Sequence, residues 1–461
     1  MNGVVWAGCI WAAVLMAVWV RDRRRPVDQR TITRESVAMV LALLGTHSIV
    51  AGSDAEEILR DPVAAERILR GSLSGLAILI VAPLLIQRLR ANRVHGHRGL
   101  LALTVYLGVA TISTAYSAVP LVSAAKAFEL GTGLAAIASV ALSIDGRARL
   151  LRTANLLVAL EASLLTVAVV GFFTMPATFS FLYPRPGFIS ELTMVSPYTH
   201  SNGLASTGAL AGAYALARFF QGRGVDRRRY GWLILAGIGL LGTILSSGRQ
   251  GVAIWLVSIL VLLVLLRPRL LIFAVIPAAA WVIASYGDTI WQALLRNRPT
   301  TLGTLTGRTV WWGAAIDAWR DHPLTGWGYG VGGRFVALES IGRSTTSNLH
   351  SGYFEVLSGL GILGVVPLMY AAVRASVWSA RSLLKRAEVH IAILMVPLVL
   401  RTGVAQGFGA WLNFELLLFM CLVALADKDW IKERSQSPAP PEQIAPPEPI
   451  AAKVEPVRSR G

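Results

Sequence analysis

The sequence predicts an all-α, polytopic integral membrane protein of about 12–13 transmembrane helices, with one long loop on one side that contains short helices. Three observations predict it. Of the 461 residues, 54% are hydrophobic and 15% charged, with a mean hydropathy of +0.58; a soluble domain carries about 25% charged residues. Apolar stretches of bilayer length recur along the chain. Dense clusters of arginine fall in every second connection between them. This composition excludes a soluble cytosolic enzyme and a disordered chain. The net charge of +17 (43 basic against 26 acidic residues) would suggest nucleic acid in a soluble protein. In a membrane protein it marks the cytoplasmic loops, so no nucleic-acid partner is expected. Cys9 and Cys421 lie in apolar stretches, which argues against a disulfide framework or a Cys-ligated metal.

A span needs roughly 20 apolar residues, with about 17 tolerated. Thirteen stretches qualify: 3–20, 36–52, 72–87, 99–116, 124–144, 154–175, 200–219, 230–247, 251–266, 270–287, 350–373, 389–406 and 409–426. The first has no basic leader and no A-x-A-type site after it, so it reads as a span or anchor rather than a cleaved signal. Without it, a twelve-span core remains.

Loop charge sets the orientation. One set of alternate loops carries 21–30, 87–98, 145–152, 221–229, 267–269, 381–386 and 428–434, each densely basic. The other carries 53–67, 115–120, 176–199, 246–251, 288–349 and 406–410. By the positive-inside rule the first set is cytoplasmic and the second lies on the outer side. Residues 1–434 then form one membrane domain with a long outside loop at about 288–349. Residues 435–461 read as a disordered, Pro-rich cytoplasmic tail. No internal repeat and no nucleotide-binding P-loop motif occurs.

The informative arginines sit on the side where the rule disfavours them: Arg185, Arg249, Arg296, Arg298, Arg308, Arg320, Arg334 and Arg343. Arg249 lies in SSGRQG, a tight turn just before an apolar run. A helix N-terminus with a guanidinium makes an anion site; an interfacial arginine bound to lipid head groups is the simpler alternative. Arg308 opens RTVWWGAAIDAWRD, a helical pattern in which Trp311, Ala315 and Trp319 recur every four residues. Such a helix is expected to lie in the membrane interface, tryptophans at head-group level. HPLTGWGYGVGG follows, with glycines at 326, 328, 330, 332 and 333. It reads either as backbone for close approach to a ligand or as a flexible lid.

His350 sits at the mouth of the next span, among Ser347, Asn348 and Ser351. A lone histidine at a membrane edge is structural or catalytic. With the ordinary pKa near 6.5, activity depending on its neutral form falls below neutrality. Continuous helix from His350 would place Gly361 on the same face roughly 16 Å deeper. Gly361 and Gly364 would then clear a groove for a neighbouring helix or a lipid tail. Glu355, an acid inside a span, is a functional candidate or the partner of a buried arginine such as Arg401. His200 and Asn202 stand at the mouth of span 200–219, where Ser201 or Asn202 also suits a helix cap. Lys126 and Glu129, at i, i+3, neutralise each other.

Taken together, these motifs resemble the O-antigen ligase and polymerase family of bacterial membrane glycosyltransferases. The ligase signature is a His, then Asn, Ser or Gln, nine residues, a Gly, two residues, then Gly, Thr or Tyr. His350, Ser351, Gly361 and Gly364 match it in full. Arg249 in SSGRQG, Arg308 before the Trp-bearing helix, the proline–glycine turn and the HSN at 200–202 are similar to further family elements. The resemblance covers about 190–375.

It implies a GT-C-like fold that transfers a glycan from undecaprenyl diphosphate to an acceptor at the periplasmic face of the bacterial inner membrane. It also implies no cofactor, metal or nucleotide sugar. Arg249 and Arg308 would stabilise the departing diphosphate. His350 would activate the acceptor hydroxyl, or contact phosphate instead. His200, Asn202, Ser351, Glu355, Gly361 and Gly364 would line the substrate. The acceptor would be lipid A–core for a ligase or a growing polysaccharide for an O-antigen or exopolysaccharide polymerase, with membrane lipid around both; protein O-glycosylation is a further reading. From another class, a lipid-linked glycan flippase should carry paired broken helices and mid-membrane charges.

Overall fold

The computed structural model describes residues 3–22, 33–46, 65–91, 96–182, 192–197, 199–222, 227–295, 307–343, 348–409 and 412–436. Arg185, Arg296, Arg298, Ser347 and the tail from residue 437 lie outside them. The protein is an all-α polytopic membrane protein. Its principal helices are α1 (Gly3–Asp22), α2 (Arg34–Thr46), α3 (Ala65–Arg90), α4 (Arg98–Ile112), α5 (Pro120–Ala141), α6 (Gly146–Thr174), α7 (Ser201–Gln221), α8 (Arg227–Leu245), α9 (Arg249–Leu266), α10 (Ile276–Leu295), α11 (Arg308–Asp321), α12 (Gly352–Leu384), α13 (Met395–Val404) and α14 (Phe414–Gln436). Each of the thirteen apolar stretches contains helix. Among the described residues, seven helices are long and apolar enough to cross a membrane alone, and Trp6–Val18, Arg229–Leu245 and Val389–Val404 are shorter apolar helices.

Several boundaries differ from the sequence reading. Stretch 36–52 is described as helix only to Thr46. Helix α10 continues to Leu295, shortening the expected 288–349 loop, because no proline interrupts it before Pro299. Stretch 389–406 divides into Val389–Ala392 and Met395–Val404. Residues 180–194 contribute a small antiparallel pair, β1 (Ser180–Leu182) with β2 (Leu192–Met194), in register Ser180↔Met194.

Helix α14 is the centre of the bundle. Every residue from Leu416 to Leu425 is fully buried, as expected of a helix that is apolar on all sides. It packs on α4, α5, α6 and α12. At its far end Asp427 accepts hydrogen bonds from the Gly99 and Leu100 backbone N–H groups, both at 3.0 Å, and pairs with Arg374 at 2.8 Å. A carboxylate on free N–H groups caps α4 and complements its dipole. Helix α7 packs along α8 and α9. Its Ala/Gly-rich face lets the backbones touch: a Cβ on Gly239 would stand 2.9 Å from Gly212 Cα.

Candidate active site

The turn before α9 is built by close approach. Gly248 is the N-cap of α9, and Ser247 adopts a left-handed φ of 54°. A Cβ on Gly251 would lie 2.7 Å from the Ala205 side chain of α7. The turn is thereby pressed onto α7 and α9 starts at Arg249, half-buried, with Gln250 next. Helix α11 starts the same way: Gly307, at φ 87°, is its N-cap and Arg308 its first residue.

These two helix starts are joined through Gln250. Arg308 Nη1 donates to Gln250 Oε1 at 3.2 Å and to the Val404 carbonyl of α13 at 2.8 Å. Both partners are neutral oxygens, so among the described residues no carboxylate offsets the guanidinium charge, and burial works against it. Accepting from Arg308 fixes the amide orientation of Gln250. Its Nε2 is then buried with no hydrogen-bond partner among the described residues.

His350 completes this group. Its φ is 52°, and its backbone N–H donates to Asn348 Oδ1 at 2.9 Å. The ring stacks on Trp311 of α11, with centroids 5.3 Å apart and planes inclined by 27°. Burial, then the nearby charges of Arg308 and Arg401, press its pKa down to about 4. The imidazole is therefore neutral at pH 7, a hydrogen-bond acceptor rather than a cation. Ser351 and Gly352 behind it dock on the chain after α13: the Gly352 N–H donates to the Ala405 carbonyl at 2.7 Å, and Ser351 Oγ to the Thr402 carbonyl at 3.4 Å.

Four residues from the sequence reading take other places. Glu355 does not meet Arg401. Its Oε1 accepts the Leu349 N–H at 2.6 Å, so the buried acid holds the turn that presents His350. Arg401 instead pairs with Glu415 of α14 at 2.9 Å and donates to the Asn202 carbonyl at 3.2 Å. His200 is exposed and is itself the α7 N-cap, without a side-chain cap from Ser201 or Asn202. Asn202 reaches the group through its carbonyl.

The expected groove at Gly361 and Gly364 is also revised. Helix α12 begins after His350 and is broken at Gly361, whose φ is 58° and ψ −157°. The Gly-rich loop fills the break. The Ile362 and Leu363 N–H groups donate to the carbonyls of Pro323 and Leu324, at 3.0 and 3.1 Å. Those of Trp327 and Gly328 donate to the carbonyls of Ser358 and Gly359, at 3.0 and 2.8 Å. A Cβ on Gly361 would stand 2.5 Å from the Leu324 carbonyl group. The glycines thus serve close approach between protein backbones; Gly364 lies just past the break, against Leu360. Nor do the tryptophans of α11 all seek head groups. Trp312 stacks on Phe354 and donates to the Leu349 carbonyl at 3.1 Å, because α11 packs on the start of α12.

Residues 232–369 match the family model described as O-antigen ligase. This stretch, less than a third of the chain, is similar to the O-antigen ligase family. No curated protein matches the chain. The matched segment contains Arg249, Gln250, Arg308, His350, Glu355 and the break at Gly361, whereas His200, Asn202, Arg401 and Glu415 lie outside it. The match supports a function of the O-antigen ligase or polymerase type in general. Sequence reasoning singled out Arg249, Arg308 and His350 and passed over Gln250, and the Glu355–Arg401 pairing it offered as an alternative is not the one formed. An arginine and a glutamate 14 residues apart in apolar sequence (415 − 401) were a usable signal for their pairing.

Proposed function

We propose that the protein transfers an undecaprenyl-diphosphate-linked glycan to an acceptor sugar at the periplasmic face of the inner membrane, without metal or nucleotide and with inversion. The observation that carries this reading is the bridge from Arg308 to Gln250, one residue from Arg249, beside a neutral His350. The acceptor hydroxyl attacks the anomeric carbon from the face opposite the diphosphate. The carbon–oxygen bond to phosphate breaks, and undecaprenyl diphosphate leaves with the electron pair. Arg249 and Arg308 meet the growing charge at fixed positions. The His350 imidazole accepts the hydroxyl hydrogen bond and then its proton. Bound diphosphate offsets the charges of Arg308 and Arg401, so the ring becomes more basic when donor is present.

The basic alternate loops support the periplasmic placement. Packing of α14 on α4, α5, α6 and α12 supports a single membrane domain over 1–434. The broken helix does not favour a flippase, because loop backbone occupies the break rather than a substrate cavity. The test is to mix purified protein with undecaprenyl-diphosphate glycan and candidate acceptors, without ATP and with chelator. Transfer to lipid A–core identifies a ligase, and chain elongation a polymerase. Absence of transfer to any glycan or lipid acceptor, with intact protein, would sink the proposal.

A further inference from the structure

Arg401 is more elaborately held than a topological arginine needs to be. It lies in the apolar helix α13 with its side chain 12% exposed. Glu415 braces its Nε side at 2.9 Å, and Nη1 is spent on the Asn202 carbonyl at 3.2 Å. The Glu415 contact is an ion pair without hydrogen-bond geometry, so among the described residues the buried Nε has no hydrogen-bond partner. One turn further along α13, the Val404 carbonyl takes the hydrogen bond from Arg308. Val404 belongs to the same helix as Arg401, so α13 brings Arg401 and Arg308 to one place, and the charges of both act on His350. The second unspent donor is Gln250 Nε2, buried and fixed in orientation by Arg308.

An arginine pair left partly uncompensated, with an orphaned buried amide N–H beside it, costs stability in the empty protein. What repays donors of this kind is an anion with several acceptor oxygens. A diphosphate has two phosphates, and Arg249 with Arg308 provides for only part of their oxygens.

We propose that Arg401 and Gln250 Nε2 bind one of the two phosphates of the lipid diphosphate, with Glu415 as the positioning residue that aims Arg401. This rests on the donor reading given above, and it adds two contacts to it. The consequence is discrimination: the protein should tell a prenyl diphosphate from a prenyl monophosphate largely through Arg401.

The experiment measures binding of undecaprenyl diphosphate and undecaprenyl monophosphate to the full chain in detergent, for wild type, Arg401→Gln, Arg401→Lys and Gln250→Leu. Wild type should prefer the diphosphate. Arg401→Gln should weaken diphosphate binding by about 10–100-fold, the effect of one or two charge-assisted hydrogen bonds, and monophosphate binding by less than about threefold. Arg401→Lys, which keeps the charge for Glu415 and hence the fold, should still lose most of the preference. Gln250→Leu should lose part of it. Equal weakening of both lipids, or an undiminished preference in Arg401→Gln and Arg401→Lys, overturns the assignment of Arg401. Absence of any diphosphate preference in wild type brings down the donor reading itself, and this inference with it.

Discussion

His350 stacks against Trp311, ring centroid to ring centroid at 5.3 Å. The indole closes one face of an imidazole whose protonation burial already opposes. Trp311→Ala should therefore let water reach the ring, and its pKa should rise from about 4 toward the ordinary ~6.5. Transfer should slow about tenfold, with less loss in Trp311→Phe. Titration of the His350 ring by NMR in the two variants checks this; an unchanged pKa in Trp311→Ala would show that Trp311 does not shield it.

The same depressed pKa sets the pH response. Because His350 in the donor-free protein stays neutral down to about pH 4, kcat/KM for donor should be flat between pH 8 and about pH 5.5 on its account. This replaces the loss just below neutrality that an ordinary histidine would give. Protonation removes the acceptor, so activity falls only as pH approaches the pKa from above. Bound diphosphate raises that pKa, so kcat should decline at higher pH than kcat/KM does. His350→Ala should be slow at every pH while keeping donor affinity within about threefold of wild type. Loss of donor affinity as large as in Arg249→Ala would assign His350 to the phosphates instead.

Arg308 joins two helices with one nitrogen and presents the rest of its fork elsewhere. A lysine point charge cannot do both. Arg308→Lys and Arg249→Lys should each lower transfer by about 10²-fold while the protein still inserts. Near-normal turnover in either variant would reduce that arginine to an interfacial anchor.

Gly361→Ala should destabilise by about 3 kcal/mol or more. The left-handed φ penalises any Cβ, and the new methyl would run into the Leu324 backbone 2.5 Å away. Gly313→Ala in α11, where a Cβ meets nothing within 4 Å, should be neutral or stabilising by up to about 1 kcal/mol. Thermal unfolding in detergent compares the two, and equal midpoints would show that the break tolerates a side chain.

Cysteine labelling tests the orientation. Cys9 is exposed and must first be replaced, whereas Cys421 is buried. In that background, cysteines at Ser340 and Ser437 should label oppositely with an impermeant reagent in intact cells. Equal labelling contradicts the charge-based topology.

The positions of the helices were legible because each apolar stretch had to bury its backbone in its own hydrogen bonds, whatever its neighbours. Arg249, Arg308 and His350 drew attention because polar groups on the sparsely charged side stand out against that background. What escaped depends on three-dimensional pairing. Gln250 is one amide among many until Arg308 orients it. Arg401 was one partner open to Glu355, yet Glu355 spends its carboxylate on the Leu349 N–H. The span from 350 onward was read as unbroken because local sequence gives no sign that Pro323 and Leu324 supply carbonyls to the N–H groups after Gly361.

That splice between loop and helix divides α12 into two pieces, and its hydrogen bonds are main-chain bonds. Main-chain bonds do not read side-chain identity. Outside the glycines that permit contact, residues such as Leu324 and Ile362 are therefore free to drift in evolution, provided they stay apolar, without disturbing where His350 sits. The loop in turn acts as a keyed spacer. An insertion or deletion of one residue between Pro323 and Gly328 would shift every bond of the splice out of step, and should do more harm than most single substitutions within it.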